Sequence, residues 1–408
     1  MAATALPPER LPVQFAGTRK ALFWLAMRTG LFTVLTLGIY RFWMKTRLRR
    51  WYWSSIRPGG DPLEYTGQPI EKLIGFLIAV CILAFYLAII NLLLMFASYA
   101  IFSSNVVAYL ASFAGVVPVL FYAQYRARRY VLARTRWRAV RFGLDPAAWR
   151  YSGVALWQWI TVVVSFGLLW PRKTFRLEKF ITDRTAFGSA KLHQGGDWQM
   201  LLPAAAHLFI GASFTLFTIL AATEMEYESY TGTTPFWSLL YLTIPYAIFG
   251  LIYYNVESKR ILANHKTANG VGLLAKPRVA RILRINILGY LGIALLILPI
   301  LVILGFFTAA ASPLDPFDFP GQEGGLIYTI RQLPPFVLTG IIVFLYFVTF
   351  LLWFVLRHAL ITMPVIRHYA ETLTLTGADN LPGVSQKARD DFAEAEGFAE
   401  ALDLGAAI

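Results

Sequence analysis

Ionisable and strongly polar side chains embedded in apolar sequence are the first residues to weigh here. Placing them in a low-dielectric setting is costly and commonly serves transport or proton transfer. His207 stands between Pro203 and Gly211 in an apolar run. It reads either as a substrate contact or proton relay, or as a neutral imidazole bonded to a neighbouring helix. Arg28 and Gln158 lie in two weaker apolar runs. With His207 they form the candidate polar interior. Asn91 reads as a hydrogen-bonding link between helices. The other familiar chemistries lack their residues. The five histidines, His193, His207, His265, His358 and His368, have no metal-ligand spacing. The single Cys81 excludes a disulfide within one chain. Gly270-Val271-Gly272 lacks the rest of a dinucleotide fingerprint, and neither a phosphate-binding loop nor a Gly-x-Ser-x-Gly elbow is present. No catalytic residue, metal or cofactor is therefore expected, and the function expected is not enzymatic.

The elements that would carry these residues are apolar helices. The chain has 408 residues, 57% hydrophobic and 15% charged, which is too apolar for an ordinary soluble domain. Crossing about 30 Å of hydrocarbon takes about 20 helical residues. Six runs meet that length, at residues 73–96, 105–125, 200–222, 236–254, 285–310 and 336–356. Two weaker runs cover 21–43 and 153–171. The 12 Trp and 20 Tyr, many near run ends, suit aromatic belts at the headgroups. Residues 1–15 lack a charged segment followed by an apolar core, so no cleaved leader is expected there.

Charge then orients the chain. If all eight runs cross, the Lys and Arg residues divide between both faces. If the two weak runs enter and leave on one side, all but Arg331 of the 37 Lys and Arg lie on one face or within the runs assigned to it. This matches the positive-inside tendency. The weak runs contain Thr29-Gly30 and Gly38, and Ser165-Phe166-Gly167 and Pro171, and broken helices suit re-entrant or interfacial segments. Two ordinary crossings remain the alternative. Glu224, Glu226 and Glu228 fall in one outer link, and Asp315, Asp318 and Glu323 in another. The chain is expected to pass through the membrane several times, with both termini cytoplasmic.

An internal repeat is also visible. Gly38, Arg47-Leu48, Arg50-Trp51 and Gly59 match Gly167, Arg176-Leu177, Lys179-Phe180 and Gly188 without gaps. Lys266-Thr267-Ala268-Asn269-Gly270 is set against Arg184-Thr185-Ala186-Phe187-Gly188 as a third copy. Repeats of about 15–125, 126–255 and 256–377 follow, within one membrane domain at 1–380. Residues 57–62 predict a turn and 63–66 a returning extended segment. Residues 135–142 alternate as one strand would.

Phe15-Ala16-Gly17, Leu35-Thr36-Leu37-Gly38-Ile39-Tyr40-Arg41-Phe42-Trp43-Met44-Lys45-Thr46-Arg47 and Leu63-Glu64-Tyr65-Thr66-Gly67 carry a family resemblance. They resemble the pattern of YjgN-like bacterial inner-membrane proteins, a domain of unknown function. The likeness is most specific over 15–80 and extends to about 377. It implies membrane location and supplies no catalytic residue, substrate or cofactor.

The fold expected is an all-α polytopic membrane protein. About six transmembrane helices form three hairpins, with two re-entrant or interfacial segments and short β-like cytoplasmic elements. The net charge of +14 is spread over several juxtamembrane segments, which argues against nucleic acid. Anionic headgroups are the expected partner, through Arg126, Arg128, Arg129, Arg134, Arg136 and Arg138, unless these residues serve orientation alone. The acidic tail, 381–408, has Phe392, Ala395, Phe398 and Leu402 at helical spacing. Docking on the basic elements and a disordered terminus are both open. The function expected is transport or channel-like passage of a small solute or lipid; the alternative is a non-catalytic membrane scaffold or anionic-lipid-contacting module.

Overall fold

The computed structural model describes residues 10–228, 236–311 and 326–386, with side chains omitted at a few positions inside helices. Glu226, Glu228, Asp315, Asp318, Glu323 and the tail beyond 386 lie outside the described residues and side chains. Among the described residues, six helices are long and apolar enough to cross a membrane, indicating a polytopic helical membrane protein. Residues 21–43 and 153–171 contribute none of the six.

Among the described residues the expected helices are joined by ten short strands, which pair into one sheet where an all-α molecule with short β-like elements was expected. The strands are β1 (Arg10–Phe15), β2 (Ile56–Pro58), β3 (Leu63–Tyr65), β4 (Thr135–Trp137), β5 (Val140–Leu144), β6 (Thr185–Phe187), β7 (Ala190–Gln194), β8 (Lys266–Ala268), β9 (Val271–Ala275) and β10 (Leu373–Thr376). All pair antiparallel in one sheet, ordered β2-β1-β10-β9-β8-β7-β6-β5-β4-β3. The sheet is nearly a closed ring, because β2 and β3, at its two ends, are joined by the short turn at 59–62. Segments of three to six residues carry too little periodicity to reveal such pairing. Their partners also lie on the far side of entire helical hairpins.

Those hairpins are α1 (Arg19–Leu35) with α2 (Arg41–Ser55), α3 (Pro69–Phe102) with α4 (Val106–Ala133), and α5 (Ala148–Val164) with α6 (Trp170–Thr182). They continue with α7 (Leu202–Glu228) and α8 (Phe236–Asn264), then α9 (Val279–Ala311), the short α10 (Leu326–Arg331) and α11 (Pro335–Glu371). Each leaves one strand and returns into that strand's paired neighbour: β1 to β2, β3 to β4, β5 to β6, β7 to β8 and β9 to β10. Within the first unit, antiparallel pairing therefore puts the connections α3/α4, α5/α6 and α7/α8 at one end of the strands and the tight turns at the other.

Residues 135–142 are a hairpin rather than one strand. Arg138 and Ala139 both have positive φ between β4 and β5, as a type I′ turn requires. The usual Asn-Gly signal is missing, so the turn was hidden. The register of the third copy also differs by one residue. Gly188 is the first turn residue after β6, whereas Gly270 is the second after β8. Asn269 is thus the structural counterpart of Gly188.

Two compact units are distinguished. The described parts of 10–16, 52–279 and 369–386 form the first, which holds the whole sheet; 17–51 and 280–368 form the second. In the first unit, Tyr125, Leu144, Tyr151, Ala155 and Ile181 make one buried cluster, tying β5 to α4, α5 and α6. Residues 377–386 lace the turn end: the Ser189 amide donates to the Ser385 carbonyl at 2.9 Å, and the Arg141 amide to Gln386 Oε1 at 2.9 Å. In the second unit, Ile293, Ile297, Leu356 and Ile361 form the core, and Arg367 donates to the Gly17 carbonyl at 2.6 Å.

α1/α2 and α5/α6 turn in the same way. Leu37-Gly38 and Phe166-Gly167 both adopt positive φ. The Gly38 amide donates to the Thr33 carbonyl and the Gly167 amide to the Val162 carbonyl, each at 2.8 Å, as in a glycine-terminated helix cap.

α7 and α8 approach through small residues. A Cβ on Gly250 would lie 2.5 Å from the His207 carbonyl oxygen, and one on Gly211 would lie 2.7 Å from Ala247 Cα. Gly250→Val is therefore expected to cost about 1–3 kcal/mol of stability, read as a lower thermal midpoint in detergent. Gly305→Ala, where nothing lies within 4 Å, should leave it unchanged.

Candidate functional site

The densest chemistry lies where helices meet the sheet. Pro69 opens α3, fitting a helix start where its missing N–H is no loss, and Glu71 follows in the first turn. Arg134 Nη2 reaches both Glu71 oxygens at 3.0 Å, and Tyr130 Oη donates to Glu71 Oε2 at 2.8 Å. β3 pairs with β4 just beyond, so this ion pair ties the start of α3 to the end of α4.

A second cluster joins α4, α6, α8 and β8. Glu178 receives Lys266 Nζ in a short charged hydrogen bond and has Arg128 at 3.7 Å. Burial alone would raise the Glu178 carboxyl, but Lys266 and Arg128, with Lys259 nearby, outweigh it and hold the group below the usual carboxylate range. Lys173 is buried between two indoles, its Nζ 3.8 Å from the Trp159 ring centroid and 3.3 Å from that of Trp170. Burial pushes its ammonium down to about 8, while the indole faces favour the charged form.

The six arginines weighed for lipid headgroups have divergent environments. Arg126 donates to Tyr122 Oη at 3.0 Å, and Arg129 is buried with its Nε donating to the Leu144 carbonyl at 3.2 Å. Arg134 is held by Glu71, and Arg138 pairs with Asp61 at 2.6 Å. Arg128 pairs with Glu178 yet remains exposed. Arg136 lies opposite Glu64 on one side and Arg141 on the other. Most of this basic sequence therefore positions helices and strands.

Each of the three residues of the candidate polar interior has its own setting. Arg28 is exposed on α1 in the second unit, whereas Gln158 and His207 belong to the first. Gln158 is buried on α5, its Oε1 without a hydrogen-bond partner among the described residues. His207 Nδ1 lies 3.0 Å from Tyr246 Oη, and its ring packs edge-on against Phe249 and Tyr253. All three aromatics are on α8, so His207 faces its hairpin partner. The imidazole is thus engaged between α7 and α8.

Glu71 and Glu178 were not singled out in the sequence. Their signal was available: isolated carboxylates at helix ends in an otherwise basic stretch. Among the described residues, no cluster of His, Cys, Asp or Glu is arranged to hold a metal ion.

A family described as "Bacterial protein of unknown function (DUF898)" matches residues 10–313. The chain belongs to that family. The match runs from β1 past the end of α9 and includes nine of the ten strands. YjgN-like proteins are of this kind. No curated protein and no solved structure matches the chain.

The Glu178 cluster has a definite pH signature. A depressed folded-state pKa stabilises the protein above the unfolded value and loses that contribution as pH falls through the folded one. The stability advantage of wild type over Glu178→Gln should therefore be full at neutral pH and shrink once pH drops below about 4. Thermal midpoints of both proteins in one detergent across that range measure it.

Proposed function

We propose that this chain is a non-catalytic, anionic-lipid-contacting scaffold of the bacterial cytoplasmic membrane. In this reading six helices cross, the sheet and both ends of the described chain face the cytoplasm, and α1/α2 and α5/α6 dip into the bilayer without crossing. The supporting observation is the chemistry of the two tips. Leu35, Leu37 and Ile39 are exposed at one, and Val163, Val164, Phe166 and Leu168 at the other, with Phe166 97% exposed. Water solvates such a tip poorly, whereas an apolar face buried about 5–10 Å at the headgroup–acyl boundary is favourable. Arg47 and Arg176 are exposed at matching positions of α2 and α6, and each basic residue near an anionic surface contributes about 1 kcal/mol.

One observation favours passage of a small solute or lipid as a second reading. π-helical turns at Tyr86–Ile90 and His358–Thr362 interrupt α3 and α11, and Pro118, Pro245 and Pro299 lie inside α4, α8 and α9. Such breaks recur at functional sites and at moving elements.

Single cysteines in a Cys81→Ser background test the first reading with a membrane-impermeant maleimide. Glu64→Cys, Ser189→Cys and Thr267→Cys should label only after the inner membrane is permeabilised, and Ser103→Cys in intact spheroplasts. Phe166→Cys should resist both treatments and label in detergent. Labelling of Phe166→Cys from outside would make α5/α6 a crossing. Ready labelling after permeabilisation would place its tip in water and overturn the dipping arrangement. A deletion strain with altered solute uptake and unchanged lipid composition would favour passage.

A further inference from the structure

The second unit contains a groove whose shape and flanking charge define a ligand class. It has a volume of about 330 Å³, near the lower end of the range of about 300–1,000 Å³ for small-ligand pockets. Ile293, Ile297 and Leu301 line it from α9, and Tyr346, Phe350 and Trp353 from α11. Its lining is almost wholly apolar. The Thr349 hydroxyl donates to the Leu345 carbonyl at 2.8 Å, within α11.

Helical phase explains why this face stays open. Tyr346, Phe350, Trp353 and Arg357 recur at spacings of four, three and four, on one side of α11. α1 packs on a different side: a Cβ at Gly30 would lie 2.6 Å from Leu351 Cδ1 and 3.6 Å from Phe354 Cδ1. Ile293 and Ile297, themselves buried, form the groove floor and pack with Leu356 and Ile361.

The two ends differ chemically. Toward the C-terminus of α11, Trp353 stands beside Tyr290, ring centroids 6.3 Å apart, an arrangement suited to the headgroup boundary. Arg357 follows one turn later, about 6 Å along the axis. It is exposed and has no carboxylate partner among the described residues. An apolar slot on membrane-length helices, with aromatics and one unneutralised guanidinium at one end, complements a lipid with a negative headgroup.

We infer that the groove between α9 and α11 holds an acyl chain of an anionic phospholipid whose phosphate is met by Arg357. This site rests on the lipid-contacting reading and gives it a specific address. The guanidinium donates to phosphate oxygens, and the chain replaces neighbouring bulk lipid along Ile293, Ile297 and Leu301. No bond is made or broken.

The test uses full-length protein in nanodiscs containing equal amounts of phosphatidylglycerol and phosphatidylcholine. Either lipid carries a diazirine in its acyl chain, and mass spectrometry locates the adducts. Wild type should label peptides covering 293–301 and 346–353 and favour phosphatidylglycerol there. Arg357→Gln should reduce that preference about fivefold while retaining labelling by phosphatidylcholine. Ala294 also lines the groove from α9, and Ala294→Trp, which fills it, should remove most labelling by both lipids. Ala294→Leu narrows the same space and gives the same readout if the larger residue prevents assembly. Unchanged groove labelling in the filled variant, or an unchanged lipid preference in Arg357→Gln, overturns the site. Labelled tips at Leu37 and Phe166 with an unlabelled groove would sink the site alone. Unlabelled tips would sink the broader reading.

Discussion

Antiparallel pairing across the foot of every helical hairpin is the constraint on which this structure depends. A strand of three residues has no independent stability. Here it persists because its neighbours continue the ladder, with β1 joining β2 to β10. A net contribution of about 1 kcal/mol per hydrogen bond is modest, but leaving a buried backbone group unpaired costs more. Near-closure also limits the open edges to β2 and β3, which the chain itself joins. The sheet thus returns each pair of helices to adjacent positions, whatever the length of the hairpin between them.

Charge secures those feet. Helix ends rich in Arg and Lys would repel one another without counter-charges. Glu71 holds Arg134, Asp61 holds Arg138, and Glu178 gathers Lys266 and Arg128. Much of the positive charge at these helix ends is thus engaged within the fold. Arg128, with its side chain 44% exposed, and Arg129, buried beneath β5, show two fates for adjacent residues of one motif. Position within the helix decides which arginine supports the fold and which faces outward.

The apolar crossings were legible because a run of about 20 residues has few alternatives. Their ends were not. The run at 105–125 continues as helix to Ala133, since Arg126, Arg129 and Arg134 find partners that polarity alone does not reveal. Gly38 and Gly167 both take positive φ in their turns, a conformation that glycine signals in sequence. The Thr-Ala-x-Gly phrase misled by one residue, because a turn can place glycine first or second while sequence matching sees only the letters. The sheet was mostly hidden: Leu63–Tyr65 gives no local hint that it pairs with Thr135–Trp137 beyond two long helices. His207 was found by its chemistry, but its aromatic partners on α8 required the fold.

Closure between the first and last strands is the central claim, and oxidative cross-linking tests it directly. Leu11 and Leu375 are register partners in β1 and β10, although 364 positions separate them. With Cys81 replaced by Ser, cysteines at these two positions should form an intramolecular disulfide under mild oxidation in native membranes. The linked chain should migrate faster on a non-reducing gel. Failure to link this pair, while cysteines at the hairpin partners Phe187 and Ala190 cross-link readily, would contradict the closed arrangement.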